Sequence, residues 1–402
     1  MGPDHQQTSF AKIAAMLLVA VRIPTRNITV SSIQNLLSTP LTSWHADNGG
    51  RMVDFAGWSM PVQYGSIIDE HHQTRKAFGL FDVSHMGRLY FSGSDVGAFL
   101  DGLTTRRVNG IDAGKIRYSL MTNDQGCILD DVLVYRLEGV DGEPFYMMVV
   151  NASNREKIVA WLNSHLPESS DIKIDDRTLS TAMIAVQGPK ANEAVTQIAS
   201  MNPDTLAYYT GAMASVGDAD VIVSRTGYTG EDGCELIVPA EHAVSVWSQL
   251  MEIGASVGGG ASGLASRDTL RLEAAMPLYG HELSENVNAA QADLKFAINV
   301  KDREFIGRSA ILAARKDKSL RTRVGFALQG KRAAREDCTV VVDGNTVGEV
   351  TSGTFAPTVQ KSISMGYIDP AFAEPGTKVQ FDIRGKIHDG EVVELPFYKR
   401  ST

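Results

Sequence analysis

Cysteine is scarce: the 402-residue chain has three, Cys127, Cys234 and Cys338. They are too few and too scattered for a disulfide framework, and their spacing matches no zinc cluster, so a reducing compartment is the plain reading. Long apolar runs are lacking near the N-terminus. The stretch Ile13–Val21 has nine residues, about half of the roughly 20 that a membrane-spanning helix needs. Basic charge is in deficit: 38 Lys and Arg stand against 47 Asp and Glu, a formal net charge of −9. Broad nucleic-acid binding needs clustered Lys and Arg, so this balance argues against it while leaving room for one local basic pocket.

The N-terminal segment differs from the rest. Between Asp4 and Asp47 no residue is acidic, while Lys12, Arg22 and Arg26 are basic and Ser and Thr are common. An amphipathic, arginine-bearing, acid-poor leader has the character of a mitochondrial transit peptide, which predicts a location in the mitochondrial matrix. A secretory core of the same length is the rival, though Arg22 and Arg26 directly after it suit secretion poorly; a disordered extension is the third reading. Residues 1–38 are therefore set apart as a leader.

What is present beyond it is ordinary for a globular chain: 43% hydrophobic and 21% charged residues, with a length that favours two or three domains. The pattern predicts an α+β protein. Helices are expected at Ser66–Ala77, Arg155–Leu166, Ala191–Ser200 and Ser266–Met276, the last capped by Ser266 with Asp268 in its first turn. Strands are expected at Gly87–Phe91, Ile128–Leu137, Phe145–Val150, Ala182–Val186, Val221–Ser224 and Cys234–Val238. Beyond a polar, Lys/Arg-rich stretch at Asp302–Ser319 that reads as a surface helix or a connection, short β-type segments from Thr322 onward, separated by Gly and Pro, predict a small all-β, barrel-like C-terminal domain over 315–400.

Two stretches carry chemistry. The first, Gly126–Tyr135, is strand sequence interrupted by two carboxylates. Side chains alternate along a strand, so Asp130 and Asp131 face opposite ways. Strict alternation puts Asp131 with Leu129, Leu133 and Tyr135. It puts Asp130 with Ile128, Val132 and Val134, with Arg136 available further along as a partner. A carboxylate among apolar neighbours is costly unless paired, and such positions are where raised proton affinity and proton transfer arise. An exposed Asp beside one that accepts strand-end hydrogen bonds accounts for the pair equally well.

The second is Arg225–Glu235, with three glycines in seven residues. It lacks the Lys-Ser/Thr ending of a phosphate loop, and Glu231 and Asp232 would repel phosphate. Its acids are wrongly spaced for calcium. A glycine-rich loop presenting a carboxylate and a Tyr suits a planar heterocycle with N–H donors; a hairpin with Glu235 exposed is the alternative. Cys234 reads as a small buried apolar residue. Arg267, opening a helix, can reach a carbonyl or carboxylate. His71-His72 point about 100° apart and do not form a zinc pair. His85 is expected to organise the turn in Phe81–Met86. No Ser-His-Asp arrangement and no nucleotide fingerprint is assigned.

Taken in order, these segments resemble one known family. The matching pieces are Arg51–Tyr64, Phe81–Met86, Ile128–Val134, Val186–Pro189, Gly227–Glu235, Ser266–Ala274 and Thr351–Pro357, spread over roughly residues 40–398. The family is the aminomethyltransferases, the T proteins of the glycine cleavage system. The resemblance implies a three-domain, cloverleaf-like fold, with two α+β domains, discontinuous in sequence, within 39–300. It implies transfer of the methylene carbon from the aminomethyl-lipoyl arm of the H protein to tetrahydrofolate, with release of ammonia and no metal. By the same resemblance Asp131 is the catalytic carboxylate and Glu235 the acceptor for the pterin N–H groups. Arg267, Tyr118, Asn151 and Tyr228 become folate-contacting positions. The H protein is the implied partner, with no nucleic acid and no membrane, and Lys301, Arg303, Arg308 and Arg315 are a candidate patch for docking it. The alternative is a non-catalytic folate-binding relative of iron–sulfur cluster maturation; its Lys-Gly-Cys-Tyr segment is absent here and the paired Asp is present. Demethylase modules attached to flavin domains are longer than this chain allows.

Overall fold

A computed structural model describes residues 36–400. The leader lies outside these residues up to residue 35. Its last two, Leu37 and Ser38, form β1 (Leu37–Ser38), which pairs in parallel with β3 (Trp58–Gln63) beside β2 (Arg51–Phe55). The helix Ile67–Lys76 follows. Ser66 caps it by accepting from the Asp69 N–H at 3.3 Å, with Asp69 and Glu70 in the first turn and Arg75 and Lys76 in the last, as the helix dipole favours.

Next, β4 (Gly79–Asp82) opens a sheet that is not completed until much later. Between lies a five-stranded sheet in the order β6-β7-β8-β5-β9, from β5 (Gly87–Ser92), β6 (Lys115–Thr122), β7 (Ile128–Glu138), β8 (Pro144–Val150) and β9 (Lys173–Asp176). The chain then returns through β10 (Thr181–Gln187), β11 (Gly211–Val216), β12 (Ala219–Ser224), β13 (Gly233–Pro239) and β14 (Gly260–Ala261). These complete a six-stranded sheet, β11-β12-β13-β10-β4-β14.

The two sheets meet through one apolar layer. Ile116, Tyr135, Leu137, Met147 and Val149 from one pack against Phe81, Met183, Ala185, Ile222 and Ile237 from the other, all at most 3% exposed. At roughly 1.5–3 kcal/mol for each large apolar side chain, this layer fixes the relative position of the sheets. The outer face of the six-stranded sheet is covered by Trp247 and Leu250 of the helix Ala243–Val257.

The C-terminal part is a closed barrel, β15-β18-β17-β16-β19-β20, built from β15 (Thr322–Leu328), β16 (Thr339–Val342), β17 (Asn345–Ala356), β18 (Lys361–Ile368), β19 (Lys378–Ile383) and β20 (Lys386–Val393). Closure leaves no unpaired edge. The barrel is joined to the rest through the helix Leu264–Glu273. Arg271 donates to Glu282 at 2.9 Å and to the Ser352 hydroxyl at 2.8 Å, and the Thr351 hydroxyl donates to the other Glu282 oxygen at 2.6 Å.

Several local expectations change. The helix expected from Ser266 begins two residues earlier, at Leu264. Its N-cap is Gly263, and Ser266 turns its hydroxyl back to the Gly263 carbonyl at 2.8 Å. Of the two readings of Asp302–Ser319 the helix holds in part, as the short helix Arg308–Ala314. Arg303 in that region is buried and bound to Asp101 at 3.1 Å, and Arg308 pairs with Glu304 at 3.1 Å. That leaves Arg303 unable to serve a docking patch. The strands β2, β3, β6 and β11 and the helix Ala243–Val257 were not anticipated.

Candidate functional site

The strand β7 does not alternate strictly. Met121 faces Asp130 across the β6–β7 pair, yet the next residue of β6, Thr122, faces Ile128, so Leu129 is an extra residue on β7. This bulge reverses the side of everything before it. Leu129 packs with Met121, Val132 and Val134 on the Asp130 face, while Ile128 packs with Leu120 on the Asp131 face. The expected neighbours Leu129 and Ile128 are therefore exchanged, though Leu133 and Tyr135 remain on the Asp131 side. Arg136 does not reach Asp130; it donates to the Ile111 carbonyl.

Asp130 is fully buried and accepts from the Asn151 backbone N–H at 3.1 Å, from Asn151 Nδ2 at 2.8 Å and from Asn154 Nδ2 at 2.6 Å. Asp131 is partly exposed in the cleft between the sheets, where it accepts from the Tyr118 hydroxyl at 3.1 Å and from Asn151 Nδ2 at 2.8 Å. One amide nitrogen thus lies within hydrogen-bond reach of both carboxylates. Burial raises the proton affinity of each above the ordinary carboxylate range, and the Asp131 charge raises that of Asp130 further. The Tyr118 and Asn151 donors act against the shift at Asp131. An acid poised in this way takes and returns a proton nearer neutral pH than a surface Asp does.

Across the cleft, Glu235 sits on β13 between Ser224 of β12 and Ala185 of β10. It is 4% exposed, and its one side-chain hydrogen bond within the described residues comes from the Thr226 hydroxyl at 2.5 Å. Burial pushes its carboxyl up, opposed first by the positive charge of Arg267. Arg267 nevertheless makes no ion pair with it. The guanidinium lies 4.9 Å from the Tyr228 ring centre and 6.0 Å from that of Phe81, and its buried Nη1 has no hydrogen-bond partner. A buried donor without an acceptor is costly unless something else occupies the site. Tyr228 donates to the Pro277 carbonyl at 2.5 Å, which sets its ring between Arg267 and the Asp131 end.

The six positions picked from sequence fall into two groups: Asp131, Tyr118 and Asn151, joined by hydrogen bonds, and Glu235, Arg267 and Tyr228, joined by charge and ring contact, with Tyr228 close enough to Asp131 to feel its charge. The Tyr118 ring also lies 5.6 Å from that of Phe296, tilted by 30°, and Phe296 is exposed. Two side chains escaped sequence reasoning, and a third has another role than expected. Asn154 holds Asp130; an Asn four residues past the end of a strand was its only signal. Thr226 holds Glu235 from within the quoted loop. His85 does not organise its turn, which Asp82 does by accepting from the Ser84 N–H at 2.9 Å. Instead His85 is buried against Phe55 with Nδ1 unpartnered, and burial lowers its pKa to about 3, so the ring is neutral.

One pattern needs correcting. Gly258-Gly259-Gly260-Ala261-Ser262-Gly263 does spell Gly-x-Gly-x-x-Gly ahead of a helix, but it links two helices through the two-residue β14. A Cβ on Gly259 would lie 2.8 Å from the Phe78 ring, and one on Gly263 would lie 2.4 Å from the Val62 backbone. These glycines serve packing, whereas a dinucleotide loop follows a full parallel strand.

Residues 41–302 match the family described as the GCVT N-terminal domain, and residues 321–399 match the glycine cleavage T-protein C-terminal barrel domain. The chain is 42% identical over 375 residues to the aminomethyltransferase of Cutibacterium acnes, covering 91% of this chain and 99% of that protein. It is 41% identical over 374 residues to that of Streptomyces coelicolor, covering 92% and 99%. Among solved structures, the glycine cleavage system aminomethyltransferase T from Bartonella henselae is similar with a TM-score of 0.84 at 31% identity, over 90% of this chain and 98% of that one.

Proposed function

The chain belongs to the glycine cleavage T-protein family, and from that premise we propose how its cleft works. The protein is an aminomethyltransferase of the glycine cleavage system. We infer that the acceptor is tetrahydrofolate and that the donor is the aminomethyl-lipoyl arm of the H protein. The observation that carries this reading is the pairing of a poised carboxylate, Asp131, with a second buried carboxylate, Glu235, facing an unpartnered guanidinium.

The residues fit the group. A reduced pterin presents an amino group and ring N–H groups on one edge, which Glu235 can accept, and a carbonyl that the free Arg267 Nη1 can meet. Tyr228 supplies a flat wall beside it. Bound folate supplies the nucleophilic nitrogen that takes the one-carbon unit. Asp131, fixed by Tyr118 and Asn151, would orient that nitrogen, take its proton at the carboxylate as the new C–N bond forms, and return a proton to the departing amine so that it leaves as ammonia. Asn151 and Asn154 hold Asp130 on the opposite face of the strand, and Asn151 ties the two carboxylates together. Much of the rate comes from holding the reactants in register, which needs positioned groups on two packed sheets.

The family membership supports the carrier-protein reading, and Lys301 and Arg315 are the exposed members of the candidate docking patch. The matrix location rests on the acid-poor leader alone, since the relatives named above are bacterial. Fusing residues 1–38 to a fluorescent protein tests it, and a diffuse cytosolic signal would remove the proposal. Among the described residues no helix is long and apolar enough to cross a membrane.

The direct test is tetrahydrofolate-dependent ammonia release from aminomethylated H protein. We expect activity in the wild type and a large loss in Asp131→Asn with folate binding retained. Binding without release in the wild type would favour the non-catalytic relative.

A further inference from the structure

The loop between β12 and β13 carries two acids, Glu231 and Asp232, that the cleft does not use. Both are engaged from outside by the end of the chain. The Tyr398 hydroxyl donates to Glu231 Oε1 at 2.8 Å, and Arg400 Nη1 lies 3.4 Å from Asp232 Oδ1. Each acid also has an arginine from the body: Arg75 at 2.9 Å for Glu231 and Arg225 at 2.5 Å for Asp232.

Arg75 is the hub. It donates to the Thr229 carbonyl at 2.7 Å and to Glu273 at 2.8 Å, and its guanidinium lies 4.0 Å from the centre of the Tyr398 ring. The Tyr398 backbone N–H in turn donates to the Glu273 carbonyl at 2.8 Å. Upstream, Leu395 and Phe397 pack with Leu272, Ala356, Ile363 and Met365. Gly325 of the barrel leaves them room, since a Cβ there would lie 2.5 Å from Leu395 Cδ2. The tail is therefore fixed by apolar contacts at one end and reaches the loop with polar groups at the other.

These contacts add to those the body makes with the middle of the loop, where the Gly188 N–H donates to the Asp232 carbonyl at 2.7 Å and the Thr229 hydroxyl donates to Gln187 at 3.2 Å. The ends of the loop are wedged into β10: a Cβ on Gly227 would lie 1.9 Å from Gln187 Oε1, and one on Gly233 would lie 2.2 Å from the Val186 carbonyl. Between them Thr229–Asp232 is held mainly through side chains, and this stretch separates Tyr228 from Glu235.

We propose that Leu395–Arg400 is a strap that keeps the Tyr228–Glu235 loop in its ligand-binding conformation, with Tyr398 as a positioning residue acting through Glu231 and Arg75. The role of the loop in binding rests on the folate reading above. The strap reaches the loop at Glu231 and Asp232 and bonds to none of Asp131, Tyr118 or Asn151, so it acts on affinity for the folate and leaves the proton transfer at Asp131 alone.

Tyr398→Phe keeps the ring over Arg75 and removes only the hydroxyl; Arg400→Ala removes the second contact. In the full-length chain, amide hydrogen exchange of the 226–235 segment is measured without ligand, and tetrahydrofolate affinity and steady-state constants are measured alongside. The double variant is expected to exchange faster in that segment and to bind folate about tenfold more weakly, the scale of one or two lost hydrogen bonds. Its kcat at saturating folate and its melting temperature should stay near wild type. Unchanged loop exchange and affinity would overturn the strap. So would faster exchange throughout the molecule with a matching fall in melting temperature, because the tail would then be a general stabilising element. A wild type that binds no tetrahydrofolate would sink the folate reading, while the loop exchange rates would still decide the strap.

Discussion

The Tyr118 hydroxyl reaches Asp131 at 3.1 Å from the neighbouring strand, three residues before Met121, after which the register of that pair slips. The hydrogen bond favours the ionised form of an acid that burial drives toward the neutral one. Removing it should therefore raise the proton affinity of Asp131. In Tyr118→Phe the acid limb of the pH–rate profile is expected to move to higher pH, with kcat reduced about tenfold at neutral pH. An unmoved limb would show that Tyr118 contributes contact area alone.

The same pair affects stability. Both carboxyls have folded-state proton affinities raised above the unfolded values. Their contribution is thus fully present below the ordinary carboxylate pKa and is lost as pH rises through the raised values. Asp131→Asn removes one of the two charges. Ligand-free, it should be as stable as wild type near pH 4.5 and more stable, by about 1 kcal/mol, near pH 8. Chemical denaturation at the two pH values measures the gap; a gap that closes with rising pH would contradict the account.

Glu235→Gln keeps the shape of the side chain but turns one acceptor into a donor. Folate KM is expected to rise about 10–100-fold, equivalent to roughly 1–3 kcal/mol, with kcat largely kept. A loss confined to kcat would place Glu235 in the chemistry and not in binding.

Arg271 and Glu282 form a buried ion pair at 2.9 Å between the helix and the barrel, with side chains 2% and 0% exposed. Glu282→Gln leaves the guanidinium with its neighbour Asp268, whereas Arg271→Met strands Glu282 with hydroxyl and backbone donors only. The Met variant should lose about 3–5 kcal/mol and the Gln variant less, read from urea unfolding. Equal losses would mean that barrel packing dominates over charge.

Sequence reasoning reached the strands with clear alternation and the helix whose cap is Ser66, because those signals are local. It could not see the bulge at Leu129, since an extra residue on one strand is defined only by its partner. For the same reason it misplaced the neighbours of the two aspartates while still choosing the one that faces the cleft. Glu235 and Asp131 stand on different sheets, and their facing each other depends on how the apolar layer packs. His71 shows the limit most plainly. The sequence excludes it from a zinc pair and names no partner for it; its partners Thr269 and Thr358 lie about 200 and 290 residues away in the chain. No short motif records that distance.

The interrupted sheet also bears on how the chain is made. Gly79 of β4 pairs with Gln187 of β10, so the six-stranded sheet cannot begin to close until more than a hundred further residues have left the ribosome. At about 5–20 residues per second that is a wait of roughly 5–20 s, during which β4 stays without its partner. The intervening five-stranded sheet has all its strands within one continuous stretch and can form first. Its inner face then becomes the surface on which the later strands assemble, so the half of the cleft that carries Asp131 templates the half that carries Glu235.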